Sequence, residues 1–157
     1  MKIAILTEDK YGLNFFQNLI SHLKNLGIIR NQLEIKIKRY NIYKLRKLLL
    51  ITNNDYDKTI VIVDCDGSCN DGNPGDITNI INQNAGKNTI QVNLEFEIEE
   101  WICISEGVSY KPNKPSMILK TQRNYEKFQL PKYANKLQIQ VLKGKSSSFA
   151  LFLESLR

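Results

Sequence analysis

The chain has one histidine, His22, and three cysteines, Cys65, Cys69 and Cys103, among 157 residues. His22 sits mid-helix by the sequence pattern, so a Ser-His or Cys-His nucleophilic mechanism would rest on it alone, which argues against one. Three cysteines are an odd number without the paired spacing of a zinc site, and the expectation is buried thiols. No apolar stretch reaches membrane-spanning length, and Met1 to Glu8 runs straight into an acid with no signal-peptide cleavage pattern. The expected setting is therefore cytoplasmic, with no membrane partner. Internal repeats, low-complexity tracts and linkers are also missing. With 42% apolar residues, 157 residues suffice for one domain with a real core and not for two ordinary ones.

Charge is the first positive feature. The formal net charge of +6 suits an anionic partner, although charge speaks to association and solubility and not to fold. Its distribution is more informative: Lys36, Lys38, Arg39, Lys44, Arg46 and Lys47 fall in a stretch without any acid, interleaved with Tyr40 and Tyr43. Such a stripe suits a nucleic-acid backbone, DNA or RNA, with tyrosines available to stack on bases. The same residues also suit a plain solvent face: lysines protecting an edge strand, then a helix with Ile42, Leu45 and Leu49 inward.

Periodicity organises the chain into alternating strands and helices. Lys2 to Leu6 reads as a strand, and Phe15, Leu19, Ile20, Leu23 and Leu26 mark a helix from Tyr11 to Leu26 that ends at Gly27. Leu33 to Tyr40 alternates apolar and polar residues, as an edge strand does. Ile42 to Ile51 reads as a helix, with Thr52-Asn53-Asn54-Asp55 breaking it. Thr59 to Val63 is an uninterrupted run of Thr, Val and Ile suited to a strand buried on both faces. Gly67 to Gly75 has loop composition, Asp76 to Asn82 a short helical pattern, and Thr89 to Leu94 a fourth strand pattern. From Lys114 onward the apolar spacing predicts two or three helices, broken at Pro131 and near Gly144. The alternation implies a mostly parallel sheet of about four strands with helices on both faces and a helical C-terminal part. The expected organisation is one domain over 1–157, with a sheet-forming core at 1–112 and the helical part at 113–157.

The chemistry is concentrated at strand ends. Glu8 follows Ile3-Ala4-Ile5-Leu6, while Asp64 and Asp66 follow the buried run Thr59 to Val63. In open α/β sheets ligands bind beyond the carboxyl ends of the strands, so acids from two such ends converge there. Oxygen-only ligands suit hard cations, and Mg²⁺ in particular is held by one or two carboxylates plus water and substrate phosphates. Asp64 and Asp66 also suit a turn, as Asp does where a strand ends before glycine. Asp9 reads as a helix N-cap in preference to an extra ligand. Glu95, Glu97, Glu99 and Glu100 crowd one short segment, where repulsion is relieved by solvent or by a cation. Trp101 is assigned to the core. Ser146-Ser147-Ser148 precedes Phe149-Ala150-Leu151-Phe152-Leu153 and is a helix N-cap signal.

The strand ending in Glu8 and the strand ending Asp64-Cys65-Asp66-Gly67 together resemble the TOPRIM domain of type IA topoisomerases, DnaG-type primases and OLD-type nucleases. Glu97-Ile98-Glu99-Glu100-Trp101-Ile102 is similar to the Glu-x-Glu-x-Trp segment of small stand-alone TOPRIM-like proteins of unknown function. The closing Ser146-Ser147-Ser148-Phe149 segment resembles their Ser-x-Ser-Phe helix. The four motifs occur in the family's order and span nearly the whole chain. One departure is Asp9, where the family glutamate is commonly followed by glycine.

The resemblance implies a TOPRIM-like, Rossmann-like fold and an enzyme using Mg²⁺ or Mn²⁺ on nucleic-acid phosphodiesters in a nuclease-type hydrolysis. Asp64 and Asp66 would hold metal, and Glu8 would be a further ligand or a general acid/base. Glu97 or Glu99 would support a second ion. The chain lacks room for a topoisomerase's tyrosine domain or for primase accessory modules. The alternative is a non-catalytic module that docks on nucleic acid or a protein partner through metal. A haloacid-dehalogenase-type phosphatase, with Asp64 as nucleophile and Asp66 as acid, is a weaker reading, because that motif normally follows the first strand. An EF-hand-like loop from Asp64 fails because Cys69 stands where glycine is required.

Overall fold

The computed structural model describes residues 1–69, 73–84 and 86–157. Four strands form one all-parallel sheet: β1 (Lys2–Thr7), β2 (Glu34–Arg39), β3 (Lys58–Asp64) and β4 (Thr89–Leu94), in the order β2-β1-β3-β4. The helices between them are α1 (Gly12–Asn25), α2 (Leu45–Asp55) and α3 (Asn73–Asn84). After β4 come α4 (Glu99–Glu106), α5 (Pro115–Arg123), α6 (Leu130–Tyr133), α7 (Ile139–Lys145) and α8 (Ser147–Ser155). All the strands of the described residues precede Glu95, and everything from Pro115 onward is helical or connecting chain.

Alternation of side chains divides the core into two layers. Ile3, Ile5, Ile60, Ile62, Val92 and Leu94 face α1 and the C-terminal helices, where Phe15, Phe16, Trp101, Phe149 and Phe152 pack together. Ala4, Leu6, Val61 and Val63 face α2 and α3, meeting Leu45, Leu49, Ile77 and Ile81. The uninterrupted apolar runs of β1 and β3 therefore reflect burial on both faces. Alternating β2 lies at the edge, as its pattern predicts.

Three expectations are corrected. Thr52-Asn53-Asn54-Asp55 does not stop α2 but forms its last turn. Thr52 is buried with its hydroxyl donating to the Leu49 carbonyl at 3.3 Å, and the Asn53 amide donates to the carbonyl of Asn84 at the end of α3. Pro131 does not break a helix but lies in the first turn of α6, where its missing N–H has no intrahelical partner to lose. The C-terminal part holds four α-helices, α5 to α8, instead of two or three, and the break expected near Gly144 falls at Ser146. Of the loop expected between Gly67 and Gly75, Asn70, Asp71 and Gly72 lie outside the described residues, and Asn73 already belongs to α3.

Candidate functional site at the carboxyl end of the sheet

β1 leads to β2 on one side and β3 leads to β4 on the other, so the chain's direction of winding reverses between β1 and β3. That reversal is the topological switch point at which open parallel sheets bind ligands. Glu8 leaves the end of β1 and Asp64 ends β3, so both stand at this crevice. Asp66 follows in a turn docked on the neighbouring chain: the Cys65 N–H donates to the Leu94 carbonyl, Asp66 N–H to Phe96 and Gly67 N–H to Glu95 at 2.7 Å. Asp66 takes a left-handed backbone (φ 51°) and Gly67 follows at φ 94°. The Asp66 side chain is exposed and pairs with Lys114 at 3.3 Å.

The carboxyls at the crevice repel one another. Burial pushes the Asp64 carboxyl up to about 8, helped by the charges of Asp9 and Glu8 and opposed by Lys127. Burial, then the charges of Asp66 and Asp9, raise Glu8 as well. The excess negative charge and all-oxygen donor set of Glu8, Asp64 and Asp66 suit a hard cation. Among the described residues no three acidic, histidine or cysteine side chains are gathered into a ready ligand set. A divalent ion would have to draw these carboxylates in.

Glu97 and Glu99 come from the start of α4 to the same end of the molecule, and each already has partners. The Glu97 carboxylate accepts the Ser116 N–H at 2.8 Å, in the first turn of α5. Glu99 has no exposed side-chain surface, accepts the Tyr125 hydroxyl at 3.0 Å, and pairs with Lys127 at 3.0 Å. Lys127 also pairs with Glu97 at 3.5 Å and Asp9 at 3.1 Å. Burial lowers the affinity of this ammonium for its proton, but Glu99, Asp9 and Glu97 outweigh burial and hold its pKa above the usual lysine value. Burial and the Glu97 charge, in turn, raise Glu99. Glu100 turns away: its carboxylate accepts the backbone N–H groups of Phe96, Glu97 and Glu95 at 2.7, 3.1 and 3.3 Å. Burial raises its pKa to about 7 against those three bonds.

Asp9 does two jobs. One oxygen accepts the Tyr11 N–H at 2.8 Å in the turn before α1, while the other meets Lys127; the N-cap position is Tyr11, with no side-chain capping bond, which corrects the cap expected of Asp9. Gly12 makes this turn possible, because a Cβ there would lie 2.6 Å from the Thr7 hydroxyl oxygen.

The basic stripe divides. Arg39 and Lys44 line a cavity of about 530 Å³ together with Glu8, Tyr40 and Asn41, so two cations stand beside the acidic crevice. The Arg39 side chain donates to the Glu8 carbonyl at 3.3 Å. Lys36 and Lys38 lie on the edge strand, Lys38 over the Tyr56 ring, and Arg46 and Lys47 on the exposed side of α2. Tyr40 is not available for stacking: it is 3% exposed and its hydroxyl donates to the Ile62 carbonyl at 2.7 Å, whereas Tyr43 is 94% exposed.

Two features were absent from the sequence reading. Cys65 and Cys69 form a disulfide, with only Cys103 a free buried thiol, which corrects the expectation for the first two. Lys127 was also missed, because nothing near it in sequence marks it; its acidic partners lie on β1–α1 and α4. Phe149 N–H does donate to Ser146 Oγ at 3.2 Å, so the serine run is a helix cap as expected. No helix among the described residues is long and apolar enough to cross a membrane. No protein-family model matches the chain, and no curated protein or solved structure matches it.

Proposed function

We propose that this chain is a TOPRIM-like enzyme that uses Mg²⁺ or Mn²⁺ to hydrolyse nucleic-acid phosphodiester bonds. The observation that carries the reading is that Glu8, at the end of β1 on the switch point of a parallel sheet, lines a cavity with Arg39 and Lys44, while Asp64 ends the neighbouring strand β3. Carboxylates without neighbouring cations would repel a polyanion; cations without carboxylates would bind it without chemistry. Here Glu8 shares a cavity with both cations. A divalent ion, when bound, would neutralise phosphate charge and lower the pKa of a bound water. Asp64 and Asp66 are the proposed ligands, and Glu8 completes the set or moves a proton. Arg39 and Lys44 would hold the flanking phosphates. Since its proton is retained to about pH 8, Asp64 would release it as the cation arrives.

A second reading has its own observation. Lys114 pairs with Asp66, and Lys127 with Asp9, Glu97 and Glu99, so part of the negative charge is already answered from within the chain. That favours a binding module which docks on nucleic acid or a protein partner without turnover. Labelled single- and double-stranded DNA and RNA, incubated with the protein in Mg²⁺, Mn²⁺ or EDTA, separate the two. Metal-dependent cleavage by the wild type that Asp64→Asn abolishes, with its fold intact, is expected. Binding without cleavage in every condition would replace the enzyme by the module.

A further inference from the structure

The TOPRIM resemblance gives a second ion to Glu97 or Glu99, and that expectation does not fit the side chains there. The Lys127 Nζ stands 3.0 Å from Glu99, 3.1 Å from Asp9 and 3.5 Å from Glu97. These three acids have side-chain exposures of 0%, 8% and 8%, while Lys127 itself is 43% exposed, so the ammonium closes the acids off from the solvent side. Each acid also accepts a hydrogen bond from elsewhere in the chain: the Tyr125 hydroxyl on Glu99, the Ser116 N–H on Glu97 and the Tyr11 N–H on Asp9. Three buried carboxylates cannot stay ionised together without a positive charge among them. Here that charge arrives covalently, from the turn after α5.

We infer that Lys127 is a built-in cation that occupies the second ion position, so that the chain takes a single divalent ion, at Glu8, Asp64 and Asp66. The single-ion count rests on the proposed function; the exclusion by Lys127 does not. Removing the ammonium while keeping the stem, by Lys127→Met, leaves the three carboxylates unanswered and opens their site to a metal.

The test is a Mn²⁺ titration, with free Mn²⁺ read by electron paramagnetic resonance, on the wild type, Lys127→Met, Asp64→Asn and the double variant. Lys127→Met is expected to bind one Mn²⁺ per chain more than the wild type, and the double variant one more than Asp64→Asn. An equal count with and without Lys127 would overturn the inference, whichever count the wild type shows. A wild type that binds no Mn²⁺ would count against the proposed function alone, since the added ion in Lys127→Met is still read by difference. Should Lys127→Met be unfolded in metal-free buffer, circular dichroism in Mn²⁺ decides: recovery of the native spectrum supports a divalent ion replacing the ammonium, and failure to recover it overturns the exchange.

Discussion

Gly12 is set by what lies around it, not by its own backbone angles. A methyl group there would sit 2.6 Å from Thr7 Oγ1, 3.1 Å from the Asp9 Cβ and 3.2 Å from Ile98. Gly12→Ala is therefore expected to lower stability by about 1–3 kcal/mol in urea unfolding, the usual cost of overpacking. Thr7→Ala in the same chain should return part of that loss, a coupling that a double-mutant cycle measures. Cys103 gives a second residue-level prediction. Burial pushes its thiol up to about 12, so at neutral pH it should resist iodoacetamide in the folded protein and react only on unfolding. At this scale the sequence was half legible. The placement of Glu8, Asp64 and Asp66 at or just beyond strand ends was legible because strand ends are visible in apolar runs. The partners of Glu97 and Glu99 were not, because Ser116, Tyr125 and Lys127 are distant in the chain and chemically ordinary. The crowded segment from Glu97 to Trp101 proves to be three separate arrangements: two acids toward Lys127, one toward its own backbone, and an indole in the core donating to Ser148.

At the level of elements, β4 matches its predicted span and β1, β2, β3 and α1 match to within one or two residues, because strongly periodic apolar patterns outweigh local propensity. The misses are polar or proline-containing turns whose fate depended on contacts from elsewhere. The last turn of α2 is held by Thr52 in the core and by Asn53 reaching α3, neither of which local composition reveals. The junction of α7 and α8 shows the opposite case, a local signal that was sufficient. Ser146 supplies the acceptor for the Phe149 N–H, its hydroxyl lies 3.1 Å from that of Ser148, and Ser148 receives the Trp101 N–H. Ser146→Ala should cost about 1 kcal/mol of stability, as loss of an N-cap does. Since Ser148 is disturbed with it, the Trp101 emission should shift in the folded state. An unchanged stability with unchanged emission would show that this cap carries no weight. α8 is held at its other end by β3, where the Lys58 ammonium donates to the carbonyls of Ser155 at 2.7 Å and Arg157 at 3.0 Å.

Over the whole molecule the surplus of positive charge is not spread evenly about the crevice. Arg39 and Lys44 share a cavity with Glu8, while Lys36, Arg46 and Lys47 are exposed on the edge strand and on α2. On the proposed function, reversing Arg39 and Lys44 to glutamate should weaken nucleic-acid binding and reduce its logarithmic salt slope by about 0.7–0.9 per lost phosphate contact. Reversing Lys36 and Lys47 should have the smaller effect; an equal effect would mean that the backbone tracks the whole stripe. The acids give the molecule a pH dependence with a definite sign. The folded Asp64 carboxyl holds its proton to about 8, whereas in the unfolded chain it releases it near 4. Between those values the folded state binds the extra proton, so stability falls as pH rises, by up to about 1.4 kcal/mol per pH unit for one such group. Glu8 and Glu99 are raised too and add in the same direction. Lys127 is raised as a base, so its contribution is constant through neutrality and is lost only at alkaline pH. Thermal unfolding should therefore show a melting temperature that declines from about pH 5 to about pH 8, with a shallower decline in Asp64→Asn, which has no proton to lose there. A divalent ion that binds the ionised carboxylates opposes this trend, because binding and deprotonation are linked. Added Mg²⁺ should raise the melting temperature most at the alkaline end of the range for the wild type, and little for Asp64→Asn. A Mg²⁺ effect equal in the two proteins would place any bound ion away from Asp64, and would detach the metal from the crevice where the two central strands end.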